Sequence, residues 1–304
     1  MIYHILKIYV RAALLLFCKR ITVHHPELFR EKGPFLIGAN HPNSFFDAIL
    51  VGTFMKVPVH FMTRSDVFKY RFVRFLLERL NMIPVYRIRD GKDKLPLNEN
   101  SFFRSRKALR KGHHVLIFVE GFCNNQTTLQ ALKKGGARIL YQSWQEGIDV
   151  KMLPLWIRYD EFHKYGNQID LVPGSLFDIS RLSDPSNTAI SIQEINQETA
   201  AQLETCSRVE SPATVRYNRI LLFPFAISGF LLHIPFYALL QSLIAIVFRK
   251  TVHYDSVHFA VLAFFYPLWL LFMAALAVSF AGILKGILIA ALLPFLARAY
   301  VLWK

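Results

Sequence analysis

Two runs without a single Asp, Glu, Lys or Arg, at residues 220–248 and 257–284, restrict what this 304-residue chain can fold into more than any other feature. A water-soluble helix of that length carries a charged face, and neither run has one. Each is long enough to cross a hydrocarbon core of about 30 Å. A further apolar stretch, 286–303, is interrupted only by Arg298. Pro224, Gly229 and Pro235 fall inside the first run, and basic residues flank it, Arg216 and Arg219 before and Arg249 and Lys250 after. Positive charge at both ends predicts a hairpin that dips into the membrane and returns rather than a single crossing.

Upstream the text changes character. From about residue 22 to 216, short apolar runs alternate with longer amphipathic ones, the pattern of an α/β domain with a mixed sheet flanked by helices. Strands are expected at 35–39, 59–62, 83–86, 115–119 and 152–159, and helices at 46–54, 67–80, 101–111, 129–144 and 192–206. Residues 87–100 read as a charged loop. Residues 1–21 mix apolar side chains with Lys7, Arg11, Lys19 and Arg20 and lack a small-residue cleavage site, which fits an amphipathic helix at the membrane interface better than a signal peptide. Three units follow: 1–21 an interfacial helix, 22–216 the α/β domain, 217–304 a helical membrane region.

Bulk properties agree. Hydrophobic residues make up 53% of the chain, too many for an ordinary soluble enzyme, and the formal charge of +15 suits an anionic surface. Nucleic acid ranks behind a membrane, because long apolar runs dominate and no nucleic-acid-binding motif accompanies the basic residues. Cys18, Cys123 and Cys206 are few, odd in number and far apart, which argues against a disulfide framework and a cysteine zinc site. The doublets His24-His25 and His113-His114 lack a carboxylate-rich partner, and no metal is expected.

Chemistry concentrates in Ala39-Asn40-His41-Pro42-Asn43-Ser44-Phe45-Phe46-Asp47, directly after the first expected strand. A histidine near pKa 6.5 takes a proton from a hydroxyl at neutral pH, and a carboxylate on its other nitrogen fixes the tautomer. Six positions along a regular helix turn through about 600°, which would leave His41 and Asp47 about 120° apart. Pro42 and Asn43 must therefore form a turn that brings His41 back onto the first turn of the helix carrying Asp47. Such a turn also aims helix N-terminal amides at the site as donors for an oxyanion.

Three more runs recur in order: Ile83-Pro84-Val85-Tyr86-Arg87-Ile88-Arg89-Asp90, Ile117-Phe118-Val119-Glu120-Gly121-Phe122-Cys123-Asn124, and Met152-Leu153-Pro154-Leu155-Trp156. Together with the His41 run they resemble the glycerolipid acyltransferase superfamily, whose members acylate glycerol-3-phosphate and lysophosphatidic acid. The likeness covers residues 36–158. Beyond it, Phe223-Pro224-Phe225 through Pro235-Phe236-Tyr237 is similar to the membrane part of the branch that acylates glycerol-3-phosphate or dihydroxyacetone phosphate. The resemblance implies that His41 is the base and Asp47 its partner, that Arg87 holds the acceptor's phosphate, and that Glu120, Gly121 and Pro154 fall on the family's later blocks. Two departures stand out: five residues separate His41 from Asp47 where most of the superfamily has four, and Val119 and Cys123 replace the usual proline and small hydroxyl residue.

The implied activity is transfer of a fatty acyl group from an acyl thioester, on coenzyme A or a carrier protein, to the hydroxyl of glycerol-3-phosphate or a related lysophospholipid. The implied setting is the cytoplasmic face of a membrane, a bacterial inner membrane or its equivalent, with no cofactor beyond the thioester co-substrate. Arg87 and Arg89, separated by one residue, would project to the same side of an extended backbone and grip a phosphate; alternatively one or both belong to a solvated surface loop with Asp90. Glu120 either hydrogen-bonds acceptor hydroxyls or pairs with Arg87. Lys133, Lys134 and Arg138 meet a phosphorylated donor, lie against anionic lipid, or form a solvated face. Ser44 and Cys123 are the nearby nucleophiles if an acyl-enzyme forms. Competing readings are a lysophospholipid transacylase of the tafazzin type, an acyltransferase for a lyso-aminolipid, and a non-catalytic lipid-binding membrane protein.

Overall fold

The computed structural model describes residues 2–213 and 217–304; Arg216, one of the flanking basic residues and the expected domain boundary, lies outside the described residues. Helix α1 (Ile2–Phe17) leads into β1 (Arg20–Val23) and β2 (Phe35–Ala39), followed by α2 (Phe45–Phe54), β3 (Val59–Arg64), α3 (Arg71–Arg79) and β4 (Met82–Val85). Next come α4 (Asn98–Arg110), β5 (His114–Phe118), α5 (Gly135–Gln145), β6 (Lys151–Tyr159), β7 (Gln168–Pro173) and α6 (Thr188–Arg208). Three long helices end the chain: α7 (Arg219–Phe248), α8 (Tyr254–Ala281) and α9 (Ile283–Trp303).

The strands form one mixed sheet in the order β1-β7-β6-β2-β5-β3-β4. From β6 to β4 all neighbours are parallel, while β7 runs antiparallel to β6 and carries β1 parallel to itself. Alternation along β2 divides the core. Phe35, Ile37 and Ala39 pack with Leu14 and Phe17 of α1, Phe46 and Leu50 of α2 and Phe259 of α8. Leu36 faces the other way, into a cluster with Phe102, Leu140 and Ile195 of α4, α5 and α6. The result is a sheet between two helical layers, one of which is continuous with the membrane-seeking helices.

Strands β1 and β7 have no counterpart in the sequence reading. β1 is four residues long, and β7 buries Asp170 within its run, so neither shows clean alternation. The expected helix at 67–80 divides into a short 3-10 turn, Ser65–Phe68, and α3. Helix α5 starts at Gly135 rather than 129, because Glu120 accepts the Gln130 amide at 2.9 Å and ties the preceding segment to β5 as a loop.

The expected membrane hairpin at 220–248 is absent: α7 is one continuous helix despite Pro224 and Pro235. A proline fixes φ near the helical value and removes one donor, which bends a long helix without ending it. At about 1.5 Å per residue α7 extends about 45 Å, more than a hydrocarbon core. All three terminal helices are long and apolar enough to cross a membrane. Arg298, the one charge within 286–303, caps the carboxyl end of α1, donating to the carbonyls of Leu15, Cys18 and Lys19.

Gly229 is where α7 meets α9. A Cβ there would lie 2.1 Å from the Leu296 carbonyl oxygen, a backbone atom with nowhere to go. Gly229→Ala is therefore expected to separate the two helices and cost about 1–3 kcal/mol, read as a lower melting temperature of the purified protein in detergent.

Helix α3 presents an unusual surface. None of its residues is buried; Phe72 is 76% exposed and Phe75 55%, beside Arg71, Arg74 and Arg79. Exposed aromatic rings interleaved with guanidinium groups are the composition of an interfacial helix on anionic lipid.

Candidate active site

β2 and β5 are neighbours whose chains leave in opposite directions. The segment after β2 runs toward β3, on the far side of β5, and the segment after β5 runs toward β6, on the far side of β2. In open α/β sheets this reversal opens a crevice beyond the carboxyl ends of the strands, where ligands bind. His41 follows β2 there and Glu120 follows β5.

The local fold realises the turn that the spacing required. Asn40 is locked to β6, its amide donating to the Ile157 carbonyl at 3.0 Å and accepting the Ile157 N–H at 2.7 Å. His41 Nδ1 then lies 2.9 Å from Asp47 Oδ2, and that oxygen also accepts the Asn43 N–H at 2.8 Å. Tyr159 donates its hydroxyl to Asp47 Oδ1 at 2.6 Å. Asp47 is fully buried, and three donors meet its charge. Because the carboxylate accepts, the proton of neutral His41 sits on Nδ1 and the Nε2 lone pair is free. The ring stacks on Phe118 with centroids 3.7 Å apart and is 17% exposed, enough to meet a substrate. Burial, with the charge of Asp47 second, raises the Tyr159 hydroxyl's pKa and keeps it a donor.

Glu120 braces backbone rather than pairing with Arg87. Its Oε2 accepts the His41 amide at 2.9 Å and its Oε1 the Gln130 amide, so both oxygens brace backbone and neither meets Arg87. Gly121 turns with φ +74°, and a Cβ there would lie 2.9 Å from Lys133 Cγ. Pro154 is buried inside β6, opposite Gly38 of β2, and faces packing rather than the crevice mouth. Lys133, Lys134 and Arg138 are exposed and form no ion pair among the described residues.

Arg87 and Arg89 are not side by side on an extended strand, because Ile88–Asp90 forms a 3-10 turn. Arg87 donates from Nε and Nη2 to Asp90 at 3.2 and 2.9 Å, with Asp66 at 3.6 Å, and among the described residues the two N–H groups of Nη1 have no partner. That pairing holds the Asp90 carboxyl down to about 2. The contact is therefore complete above an ordinary aspartate's pKa of about 3.9 and is lost only as pH falls toward 2. Arg89 is exposed and forms no ion pair among the described residues. Arg64, not singled out in the sequence, joins the cluster: it ends β3 and grips Asp66 through Nε at 3.0 Å and Nη2 at 2.5 Å. At about 4.8 Å per strand, Arg64 stands roughly 10 Å from His41 along the sheet and Arg87 roughly 14 Å.

The oxyanion donors expected at the start of α2 are mostly engaged. Ser44 N–H donates to Cys123 Sγ at 2.9 Å, Phe46 N–H to Ser256 Oγ at 3.2 Å and Asp47 N–H to the Ser44 carbonyl at 3.3 Å. Burial, reinforced by Asp47, pushes the Cys123 thiol up to about 12, so its thiolate is scarce at neutral pH.

The largest addition to the sequence reading comes from the start of α8. Asn43 Nδ2 donates to Asp255 Oδ2 at 2.9 Å, Ser256 Oγ donates to the Asn43 carbonyl at 2.9 Å, and Ser44 Oγ lies 2.6 Å from His253 Nδ1. Asp255 also accepts the His163 amide at 2.9 Å. The available signal was Asp255 itself, the one acidic residue after Glu210.

The His113-His114 doublet is packed within the α/β domain. His114 accepts the Phe35 amide at 3.1 Å, stacks on that ring and is driven to about 4 by burial, while His113 points to His60 at 3.1 Å. Among the described residues no group of three or more His, Cys, Asp or Glu side chains is placed to hold a metal ion.

The family model described as Acyltransferase matches residues 20–158, which contain the His41–Asp47 pair, Arg87, Glu120 and Pro154. A search of curated proteins gave no match. Among solved structures, the chain is similar to the crystal structure of the 1-acyl-sn-glycerophosphate (LPA) acyltransferase PlsC from Thermotoga maritima, with 18% identity and a TM-score of 0.48, over 69% of this chain and 81% of that one.

Proposed function

We propose that the protein is a membrane-associated O-acyltransferase that moves a fatty acyl group from an acyl thioester to the hydroxyl of glycerol-3-phosphate or a related lysophospholipid. One observation carries the reading: within the segment matched by the Acyltransferase model, His41 Nδ1 is held 2.9 Å from a buried, fully hydrogen-bonded Asp47, with the imidazole 17% exposed beyond the carboxyl end of β2. His41 Nε2 removes the proton of the acceptor hydroxyl as its oxygen attacks the thioester carbonyl. The tetrahedral oxyanion then collapses, the C–S bond breaks, and the thiolate leaves with the proton that His41 returns. Asp47 steadies the imidazolium in between.

Arg64 and Arg87 are proposed to hold the acceptor's phosphate, Arg87 through Nη1 and Arg64 one strand closer to His41. Arg89, exposed, adds charge at the mouth. Glu120, Gly121 and Pro154 shape the site by bracing its backbone. The three terminal helices, with the exposed aromatic and basic face of α3, support placement on a membrane, for which we propose the cytoplasmic face of a bacterial inner membrane or its equivalent. Coenzyme A or a carrier protein supplies the acyl group.

Purified protein in detergent, a radiolabelled acyl thioester, and glycerol-3-phosphate, dihydroxyacetone phosphate, lysophosphatidic acid and a lyso-aminolipid as acceptors test the assignment. Labelled product is expected with a phosphorylated acceptor and no product without the thioester; transfer between lipids in its absence would favour a transacylase. Arg87→Ala should raise KM for the phosphorylated acceptor by about 10-fold or more, as loss of a charge-assisted contact worth roughly 1.5–3 kcal/mol requires. Asp90 and Asp66 already meet much of the Arg87 charge, which favours a phosphate-free lyso-aminolipid as the second reading. Unchanged KM for Arg87→Ala together with labelling of the lyso-aminolipid would select it.

A further inference from the structure

Ser44 has φ 54° and ψ −143°, a combination glycine adopts freely and other residues rarely. It lies between His41 and Asp47 and opens α2, and its carbonyl accepts the Asp47 amide. The direction of the Ser44 backbone therefore sets where the first turn of α2, and with it Asp47, stands relative to His41. A conformation costing about 1–3 kcal/mol persists only where its surroundings hold it. Here the holding groups come from two sides: Cys123 Sγ on the amide, and His253 Nδ1 at 2.6 Å on the hydroxyl, 209 residues away in sequence.

His253 precedes the first turn of α8, the helix whose Asp255 and Ser256 also hold Asn43. It is close enough to the site for the charges of Arg64 and His41 to add to burial in lowering its pKa. Among the described residues no carboxylate pairs with His253, so it lacks the third group that orients the base of a serine nucleophile. Ser44 is itself buried.

We infer that His253 is a positioning residue of the active site: its hydrogen bond to Ser44 Oγ holds the strained serine and so keeps Asp47 on His41, which makes the entry of α8 into the membrane part of the catalytic geometry. The inference rests on the acyltransferase reading above and deepens it. The membrane region is then more than an anchor.

Glycine supplies the test, because it takes the Ser44 conformation without help. In the full-length protein in detergent, with an acyl thioester and glycerol-3-phosphate, His253→Ala and Ser44→Ala are each expected to lower kcat about 10- to 100-fold with KM little changed, as for a misplacement of about 1 Å. Ser44→Gly is the reference: in its background, removal of His253 should cost no further kcat, so that the Ser44→Gly/His253→Ala double variant turns over as the Ser44→Gly single variant does and faster than His253→Ala alone. A second readout does not depend on turnover: the low-field NMR proton on His41 Nδ1, assigned by its loss in His41→Ala, should weaken in His253→Ala and return in the double variant. Wild-type kcat and an unchanged proton signal in His253→Ala would overturn the inference, as would failure of Ser44→Gly to rescue either. So would inactivity of Ser44→Gly with an acyl group trapped on wild-type Ser44, which would make that serine the nucleophile. A wild-type protein that acylates no acceptor would sink the functional reading instead, leaving the proton signal to decide the role of His253.

Discussion

Replacing His41 by alanine is expected to lower acyl transfer by about 10²- to 10⁴-fold, the usual contribution of a positioned general base, while leaving the fold intact. The fold should survive because the His41 side chain is a partner rather than a support. Its ring donates one hydrogen bond to Asp47, which keeps the donors Asn43 N–H and Tyr159 O–H without it. The backbone bonds of residue 41, to Glu120 Oε2 and from Asn124 N–H, do not need the imidazole. Circular dichroism of His41→Ala should match wild type, and its stability should fall only by what the lost stacking on Phe118 and one hydrogen bond supply, about 1–2 kcal/mol. An inactive variant that is also unfolded would leave the imidazole's chemical role unsupported.

The second large effect is at Asp47, and there activity and stability should fall together. Asp47→Ala leaves the buried Tyr159 hydroxyl and the Asn43 amide without an acceptor, at about 1–3 kcal/mol each, for a total of about 2–6 kcal/mol. The imidazolium loses its counter-charge at the same time, so turnover should drop about as far as in His41→Ala. Asp47→Asn separates the two consequences. The amide keeps much of the volume and an acceptor oxygen, which should restore most of the melting temperature, yet it offers no negative charge and turnover should remain low. Full activity in Asp47→Asn would mean that the carboxylate serves packing alone.

Much of this site was legible because its parts lie within seven residues. His41 and Asp47 cannot meet from one helix, so a turn at Pro42 and Asn43 was forced by geometry, and the structure has that turn with the Asn43 amide on Asp47. Residues brought together by the sheet were harder to read. Arg64 ends a strand two places from β2, and nothing in its neighbourhood marks it until the order β2-β5-β3-β4 is known. Glu120 is adjacent to a strand end, as expected, but whether a buried carboxylate faces a ligand or a backbone amide depends on the course of the loop at 121–134. Local composition does not fix that course.

The apolar carboxyl-terminal region shows the same limit from the other direction. Its apolar runs declared themselves, and three spanning-length helices follow from them. Prolines and flanking charges predicted a hairpin in the first, yet α7 runs unbroken and packs closely on α9 at Gly229. Tertiary contact decided what local chemistry left open. His253 and Ser256 were invisible for the same reason, since a clamp across more than 200 residues has no period or spacing to detect, and Asp255 stood out only as the lone acidic residue after Glu210.

At the centre of this account is a one-step transfer from thioester to alcohol at the crevice beyond β2. Thiol release from an acyl thioester, followed in the wild-type protein with and without glycerol-3-phosphate or a lysophospholipid, measures it most directly. The account predicts release only when an acceptor is present, with one ester formed per thiol; a burst of thiol with acyl-labelled protein before any acceptor is added, or no release with any acceptor, would contradict it.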